Sequence, residues 1–94
     1  MIKLEVLGRS GAALVLKTMY INQSSIISIE EDRLMMQDLR CKQTSNKFPK
    51  GFDRRHTLSR LIYSSGQVAE SVTVVGSPEQ VYSKFSNTKN ILRG

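Results

Sequence analysis

The chain has few of the residues that build chemical centres. Its 94 residues include one cysteine, Cys41, one histidine, His56, and no tryptophan. A single cysteine excludes a disulfide within the chain and is typical of a reducing compartment. One thiol and one imidazole are too few soft ligands for an ordinary structural zinc site. We therefore expect neither a cofactor nor a bound metal.

Long apolar runs are also missing from the sequence. No run approaches the ~18 residues that a bilayer-crossing helix needs. Glu5 and Arg9 interrupt the apolar residues near the start, and no small-residue cleavage site follows them, so we expect no signal peptide. These features predict a protein that stays in the compartment where it is made, the cytoplasm.

No recognisable catalytic motif accompanies the reactive side chains. A thiol and an imidazole do nucleophilic chemistry together in some enzymes, but the spacing of Cys41 and His56 does not require a pair. The acidic run at residues 30–32 lacks the spacing and the glycine of a calcium loop. It is better interpreted as a solvated turn or as an intramolecular counterweight to basic charge. The sequence predicts a protein that is not an enzyme.

Positive charge is what the chain has in excess, and it is concentrated in one place. Fourteen Lys and Arg residues against eight Asp and Glu give a net charge of +6 at pH 7. Residues 40–60 hold seven of those cations and one acid, so the rest of the chain is balanced. A concentrated positive field attracts polyanions and acidic protein surfaces. The candidate binding residues are Arg40, Lys42, Lys47, Phe48, Lys50, Phe52, Arg54, Arg55, His56 and Arg60.

The residue pattern predicts a strand-rich domain that ends in one helix. Alternating or β-branched apolar residues indicate strands at residues 1–8, 12–21, 26–31, 57–64 and 68–75. The stretch RLMMQDL suits either a short strand or one helical turn. Ser77 as N-cap, Pro78 at the first helical position and Gln80 three residues after the serine form a capping box.

These elements predict an α+β fold with a small, twisted, mainly antiparallel sheet of about five strands and one C-terminal helix across a face. We expect a single domain over residues 1–94, with a long basic loop or hairpin tip at residues 40–57 and a tail at residues 87–94 that frays. Such a sheet has unpaired edges, and a small chain gains by covering them, so we also expect a homo-oligomer.

The order of elements resembles the small FlbD-like family, which occurs beside flagellar and swarming genes and among phage open reading frames. The resemblance is carried by the stretches MIKL, YIN, IISIEE, LSRLIYSSGQV and VTVVGSPEQVYSKF. It implies a small sheet with a capped helix and no catalytic residues, and it places the protein in a host cytoplasm if a phage encodes it. This chain departs from the family pattern because the basic loop stands between the third and fourth strands.

Two functions of different classes follow from the basic loop (residues 40–57). The first is a nucleic-acid-binding regulator, with cations on phosphates and with Phe48 and Phe52 stacked on unpaired bases, so that RNA or single strands are favoured. The second is a protein-binding modulator or inhibitor that contacts an acidic surface, such as a phage product that acts on a host protein. A binder of small anionic nucleotides at an oligomer interface is less favoured. In the remaining alternative, the loop is solvated and its two rings pack back onto the core.

Overall fold

The structure is a computed structural model that describes the backbone of residues 1–93 and the side chains of residues 1–85. The elements in chain order are β1 (Ile2–Ser10), β2 (Ala13–Ile21), β3 (Ile26–Glu31), α1 (Arg33–Arg40), β4 (Leu58–Ser65), β5 (Val68–Val75) and α2 (Pro78–Arg93). The strands form one antiparallel sheet in the order β2-β1-β5-β4-β3. This architecture confirms the predicted α+β fold and adds a short helix, α1, between the third and fourth strands.

Two tight turns close the β1–β2 and β4–β5 hairpins, each with two residues between the paired strand ends. The first turn residue is Gly11 in the β1–β2 hairpin, with φ 64°, and Gly66 in the β4–β5 hairpin, with φ 65°. No non-glycine residue in the described backbone has a positive φ. A positive φ at the first position alone is the type II′ pattern, whose twist matches that of the strands. The sequence predicts a turn over residues 8–11, but β1 continues to Ser10, so the turn begins only at Gly11.

Helix α2 covers one face of the sheet. Val81 and Phe85 lie four residues apart and are both buried, which confirms that they share one helix face. They pack onto inward-facing residues that alternate along the strands. The buried cluster on this face consists of Ile2, Leu4, Val6, Ile21, Leu61, Val74, Val81 and Phe85.

A reciprocal pair of hydrogen bonds begins α2. The backbone N–H of Gln80 donates to Ser77 Oγ over 3.1 Å, and the backbone N–H of Ser77 donates to Gln80 Oε1 over 2.8 Å. This is the predicted capping box. The backbone is helical as far as Arg93. The side chains of residues 86–94 lie outside the described residues, so fraying of the tail at residues 87–94 stays a prediction.

The opposite face of the sheet is covered at one end by α1 and the basic loop. Leu39 of α1 and Phe48 of the loop are buried against Leu7, Leu14 and Leu58 of the sheet. Two further side chains of α1, Met35 and Met36, pack against this second cluster. The ambiguous stretch RLMMQDL is therefore helical, and the helix presents one apolar side to the sheet.

Candidate functional site

The basic loop is folded onto the sheet. Phe48 is 6% exposed and lies in the second apolar cluster. The loop also contains a 3₁₀ turn at Ser45–Lys47 and backbone hydrogen bonds from Phe52 N to Pro49 O (3.0 Å) and from His56 N to Asp53 O (3.2 Å). Because an apolar anchor and local hydrogen bonds fix the loop, its outer side chains form a defined surface.

Three rings follow one another along the loop from the core to the surface. Phe48 and Phe52 are stacked, with ring centroids 5.9 Å apart and planes inclined by 23°. The ring of His56 lies 4.8 Å from that of Phe52, at an angle of 44°. Phe48 is buried, Phe52 is half-buried and His56 is exposed. For Phe48 the burial favours the alternative in which the ring packs onto the core, and the outermost ring of the series is His56.

Three of the seven cations in residues 40–60 are ion-paired with carboxylates of the described side chains. Each lies close to one carboxylate: Lys47 Nζ to Asp38 Oδ2 at 2.7 Å, Arg55 Nε to Asp53 Oδ1 at 3.3 Å, and Arg60 Nε to Glu30 Oε1 at 3.5 Å. Of the acidic run at residues 30–32, Glu30 alone pairs with one of these cations, and that cation, Arg60, lies on β4 outside the basic loop. Paired cations have less charge to offer a ligand, so the binding capacity of the loop rests on the other four.

The guanidinium groups of Arg40 and Arg54, the arginine pair, both donate hydrogen bonds to backbone carbonyls. Arg40 Nη2 donates to the carbonyl of His56 over 3.2 Å, and its Nη1 donates to Met36 O over 3.4 Å. Arg54 Nη2 donates to the carbonyl of Arg40 over 3.2 Å. Neither guanidinium is ion-paired with a described side chain. A guanidinium has five N–H donors, so each arginine keeps donors for an anion.

Lys42 and Lys50 complete the set of unneutralised cations. Both are exposed, and neither makes a hydrogen bond or an ion pair with the side chains of residues 1–85. Together with Arg40 and Arg54 they give the loop four cationic groups with no internal carboxylate partner. Such groups suit phosphate oxygens, for which guanidinium forms bidentate hydrogen bonds and ammonium acts as a point charge.

Hydrogen bonds shift the pKa of three side chains in the basic loop. The Arg55 guanidinium and then the Arg55 backbone N–H, which donates to Asp53 Oδ1 over 2.9 Å, hold the pKa of the Asp53 carboxyl below its ordinary value. The same carboxylate raises the pKa of Arg55. Hydrogen bonds from the Gln43 backbone and then the Thr44 side chain lower the pKa of the Cys41 thiol. Because Arg55 is ion-paired with Asp53, it is not one of the four cations without a carboxylate partner.

Cys41 and His56 have different partners. Cys41 Sγ lies 3.1 Å from Gln43 Oε1, whereas the His56 ring contacts Phe52. Among the described residues no three His, Cys, Asp or Glu side chains are grouped so that they could hold a metal ion. The geometry gives no basis for a nucleophile and base built from these two residues.

A cleft of about 330 Å³ opens beside His56, between the end of the basic loop and the start of α2. It is lined by His56, Val75, Gly76, Gln80, Val81 and Lys84. Sequence reasoning did not connect the helix residues with the loop, because only the tertiary fold brings the two segments together. Of the cleft residues in α2, Gln80 was marked in the sequence, as part of the capping box.

A second, apolar groove of about 430 Å³ runs between the edge strand β3 and α2. Ile27 and Tyr82 stand beside it and are 59% and 63% exposed. The groove is lined by Ile26, Ile27, Ser28, Ile29, Pro78, Glu79 and Tyr82. It lies apart from the cationic loop and carries a different kind of surface.

Comparison with protein-family models, curated proteins and solved structures finds no match to this chain. The resemblance to FlbD-like proteins therefore stays a prediction. In the described part of the chain, no helix is long and apolar enough to cross a membrane.

Proposed function

We propose that the protein is a non-catalytic regulator that binds nucleic acid through the basic loop, with RNA or single strands favoured. The observation that supports this function best is the arginine pair, Arg40 and Arg54, whose guanidinium groups are oriented by backbone carbonyls and make no ion pair with a described carboxylate. Lys42 and Lys50 add two further unneutralised charges on the same loop. Such a regulator works in the cytoplasm, or in a host cytoplasm if a phage encodes it.

The folded state of the loop favours tight binding. A disordered segment must be ordered when it binds, and that ordering lowers its affinity. Here the buried Phe48 ring and the hydrogen bonds of Arg40 and Arg54 fix the loop before a ligand arrives. The free energy of phosphate contacts is then available for binding, and the affinity depends on salt because each contact releases counterions.

A charge-matched pair of triple variants tests the proposal. The loop variant replaces Lys42, Lys50 and Arg54 with glutamine. The control replaces three exposed cations of the β1–β2 hairpin with glutamine: Lys3, Arg9 and Lys17. Both variants lose the same net charge. Binding to labelled single-stranded RNA, single-stranded DNA and duplex DNA is measured by fluorescence anisotropy at two salt concentrations.

The loop variant is expected to bind at least about tenfold more weakly at low salt. The slope of log affinity against log salt concentration should become shallower by about 0.7 per lost phosphate contact with a single strand. The affinity and the salt dependence of the control are expected to stay close to those of the wild type. Equal losses in the two variants would mean that only net charge attracts the strand, and unchanged binding in the loop variant would overturn the proposed site.

The apolar groove beside β3 favours a second candidate function, protein binding through self-association. An edge strand presents unpaired backbone groups, and Ile27 and Tyr82 add exposed apolar area next to it. We propose a second copy of the chain as the occupant. Light scattering is expected to show an oligomer that Ile27→Lys dissociates, and a strict monomer at high concentration would contradict this candidate.

A further inference from the structure

The cleft beside His56 has one aromatic wall and an apolar floor. His56 is exposed at the outer end of the ring series, and its ring lies 4.8 Å from that of Phe52. Val75 and Val81 form the apolar part of the lining. Planar aromatic ligands stack on such rings, and they gain from an apolar floor that removes their faces from water.

Gly76 keeps the cleft open. A Cβ atom at this position would lie 3.4 Å from Gln80 Oε1 and 3.7 Å from Val81 Cγ2. Its φ of 124° also disfavours any residue with a side chain. The backbone between β5 and α2 therefore leaves space where most residues would place atoms.

Gln80 lines this cleft and carries an amide group with hydrogen-bond donors. Its Oε1 accepts the backbone N–H of Ser77 over 2.8 Å, and this bond fixes the orientation of the amide. The Nε2 group is the part that is left to donate to a ligand. A ligand with carbonyl or ring-nitrogen acceptors along one edge complements it.

Arg40 is hydrogen-bonded to the backbone of a residue that lines the same cleft. Arg40 Nη2 donates to the backbone carbonyl of His56, the residue whose ring forms the wall. Arg54 is joined to Arg40 through the Arg40 carbonyl. A cationic group is thus bonded to the backbone of a residue that lines a partly apolar cleft with an amide side chain, and a nucleotide unit combines the matching parts, a phosphate and a base.

We infer that this cleft receives one unpaired base of the bound strand, which stacks on His56 and accepts a hydrogen bond from Gln80 while Arg40 and Arg54 contact its phosphates. The inference rests on the proposed function and deepens it, because it selects single strands over duplexes. A paired base is enclosed in the stack of its duplex and cannot enter the cleft.

An abasic strand tests the inference separately from phosphate binding. Fluorescence anisotropy at one salt concentration compares three oligonucleotides of equal length: a base-bearing single strand, the duplex, and a single strand with the same phosphates but without bases. The base-bearing strand is expected to bind about tenfold more tightly than the abasic strand, a typical gain for one stacked base. It is also expected to bind more tightly than the duplex.

Substitutions of His56 then locate the base. His56→Ala is expected to lower the affinity for the base-bearing strand to that of the abasic strand and to leave abasic binding unchanged. His56→Phe retains a ring and is expected to retain the preference for bases. Tyr20→Ala, which removes an exposed ring from β2, is the matched control and should change neither affinity.

The outcomes separate the two proposals. Equal binding of base-bearing and abasic strands, or full affinity in His56→Ala, overturns base binding in the cleft and leaves phosphate binding by the loop intact. Failure of the wild type to bind any of the three oligonucleotides overturns both. A thermal melt of each variant shows that the fold is retained, as expected for exposed His56 and Tyr20 side chains.

Discussion

Thr73 Oγ1 donates a hydrogen bond to Asp32 Oδ2 over 2.8 Å and so joins β5 to the first turn of α1, across 41 residues of chain. The other carboxylate oxygen, Oδ1, accepts from the backbone N–H of Met35 over 3.2 Å and caps the helix. The backbone N–H of Asp32 donates to Leu58 O on β4. One residue thus fixes both where α1 begins and where it lies on the sheet.

Asp32→Ala is expected to lower the free energy of unfolding by about 2 kcal/mol. The loss combines a missing N-cap with a buried Thr73 hydroxyl that no longer has an acceptor. Asp32→Asn keeps a good capping side chain, so it is expected to lower the free energy of unfolding by less than about half of the alanine loss. Urea unfolding measures both values. An alanine variant as stable as the wild type would show that these contacts contribute nothing to stability.

The two phenylalanines of the basic loop are expected to respond differently to truncation. Phe48→Ala empties a buried site and should lower the free energy of unfolding by about 3 kcal/mol, at the lower end for a core aromatic residue. Phe52 is half-buried, so Phe52→Ala should cost roughly half of that. Urea unfolding gives both values. If the two losses were equally small, Phe48 would not anchor the loop.

Ser77→Ala removes one half of the capping box that begins α2. The backbone N–H of Gln80 then lacks its acceptor, and stability should fall by about 1 kcal/mol. The matched control is Ser83→Ala in the same helix, where the hydroxyl donates only to the Gln80 carbonyl within the helix and alanine is the better helix former. Melting temperatures compare the two variants. An equal change in both would argue against the cap.

The carboxyl of Asp53 is expected to titrate below its ordinary pKa of 3.8 because Arg55 hydrogen-bonds its charged form. A lowered folded-state pKa stabilises the fold above the ordinary value, and this contribution is lost as the pH falls through the folded pKa. An NMR titration of the carboxyl carbon measures the midpoint. Arg55→Gln should move it upward, whereas Arg33→Gln, at an ion pair elsewhere, should not. A midpoint at 3.8 in the wild type would contradict the contact.

Local patterns in the sequence were sufficient to predict the sheet and the start of α2. Alternating apolar residues mark the strands, and Ser77 with Gln80 marks the helix start, because both signals depend on neighbours in the chain. The placement of the basic loop depends on distant residues: Phe48 is buried only because Leu7 and Leu58 meet α1 on that face. For the same reason the sequence marks the cations of the candidate site but gives no sign of the cleft between the loop and α2.

Lys47 and Lys50 lie three residues apart in the basic loop and are expected to differ in function. Lys47 Nζ is 2.7 Å from Asp38 Oδ2, with both side chains partly shielded from water, whereas Lys50 is exposed and makes no ion pair with a described side chain. Lys47→Ala should therefore lower the free energy of unfolding by roughly 0.5 kcal/mol, and by less at high salt. Its affinity for single strands should stay nearly unchanged.

Lys50→Ala should show the opposite behaviour. Its melting temperature should equal that of the wild type, because a solvated lysine contributes little to stability. Its affinity for single-stranded nucleic acid should fall. The slope of log affinity against log salt concentration should become shallower by about 0.7 for the one lost phosphate contact. Anisotropy titrations at several salt concentrations, with Lys47→Ala as the charge-matched control, measure this difference. If both variants lost the same affinity, the ion pair with Asp38 would not withhold Lys47 from the ligand, and the division of the loop into paired and binding cations would be wrong.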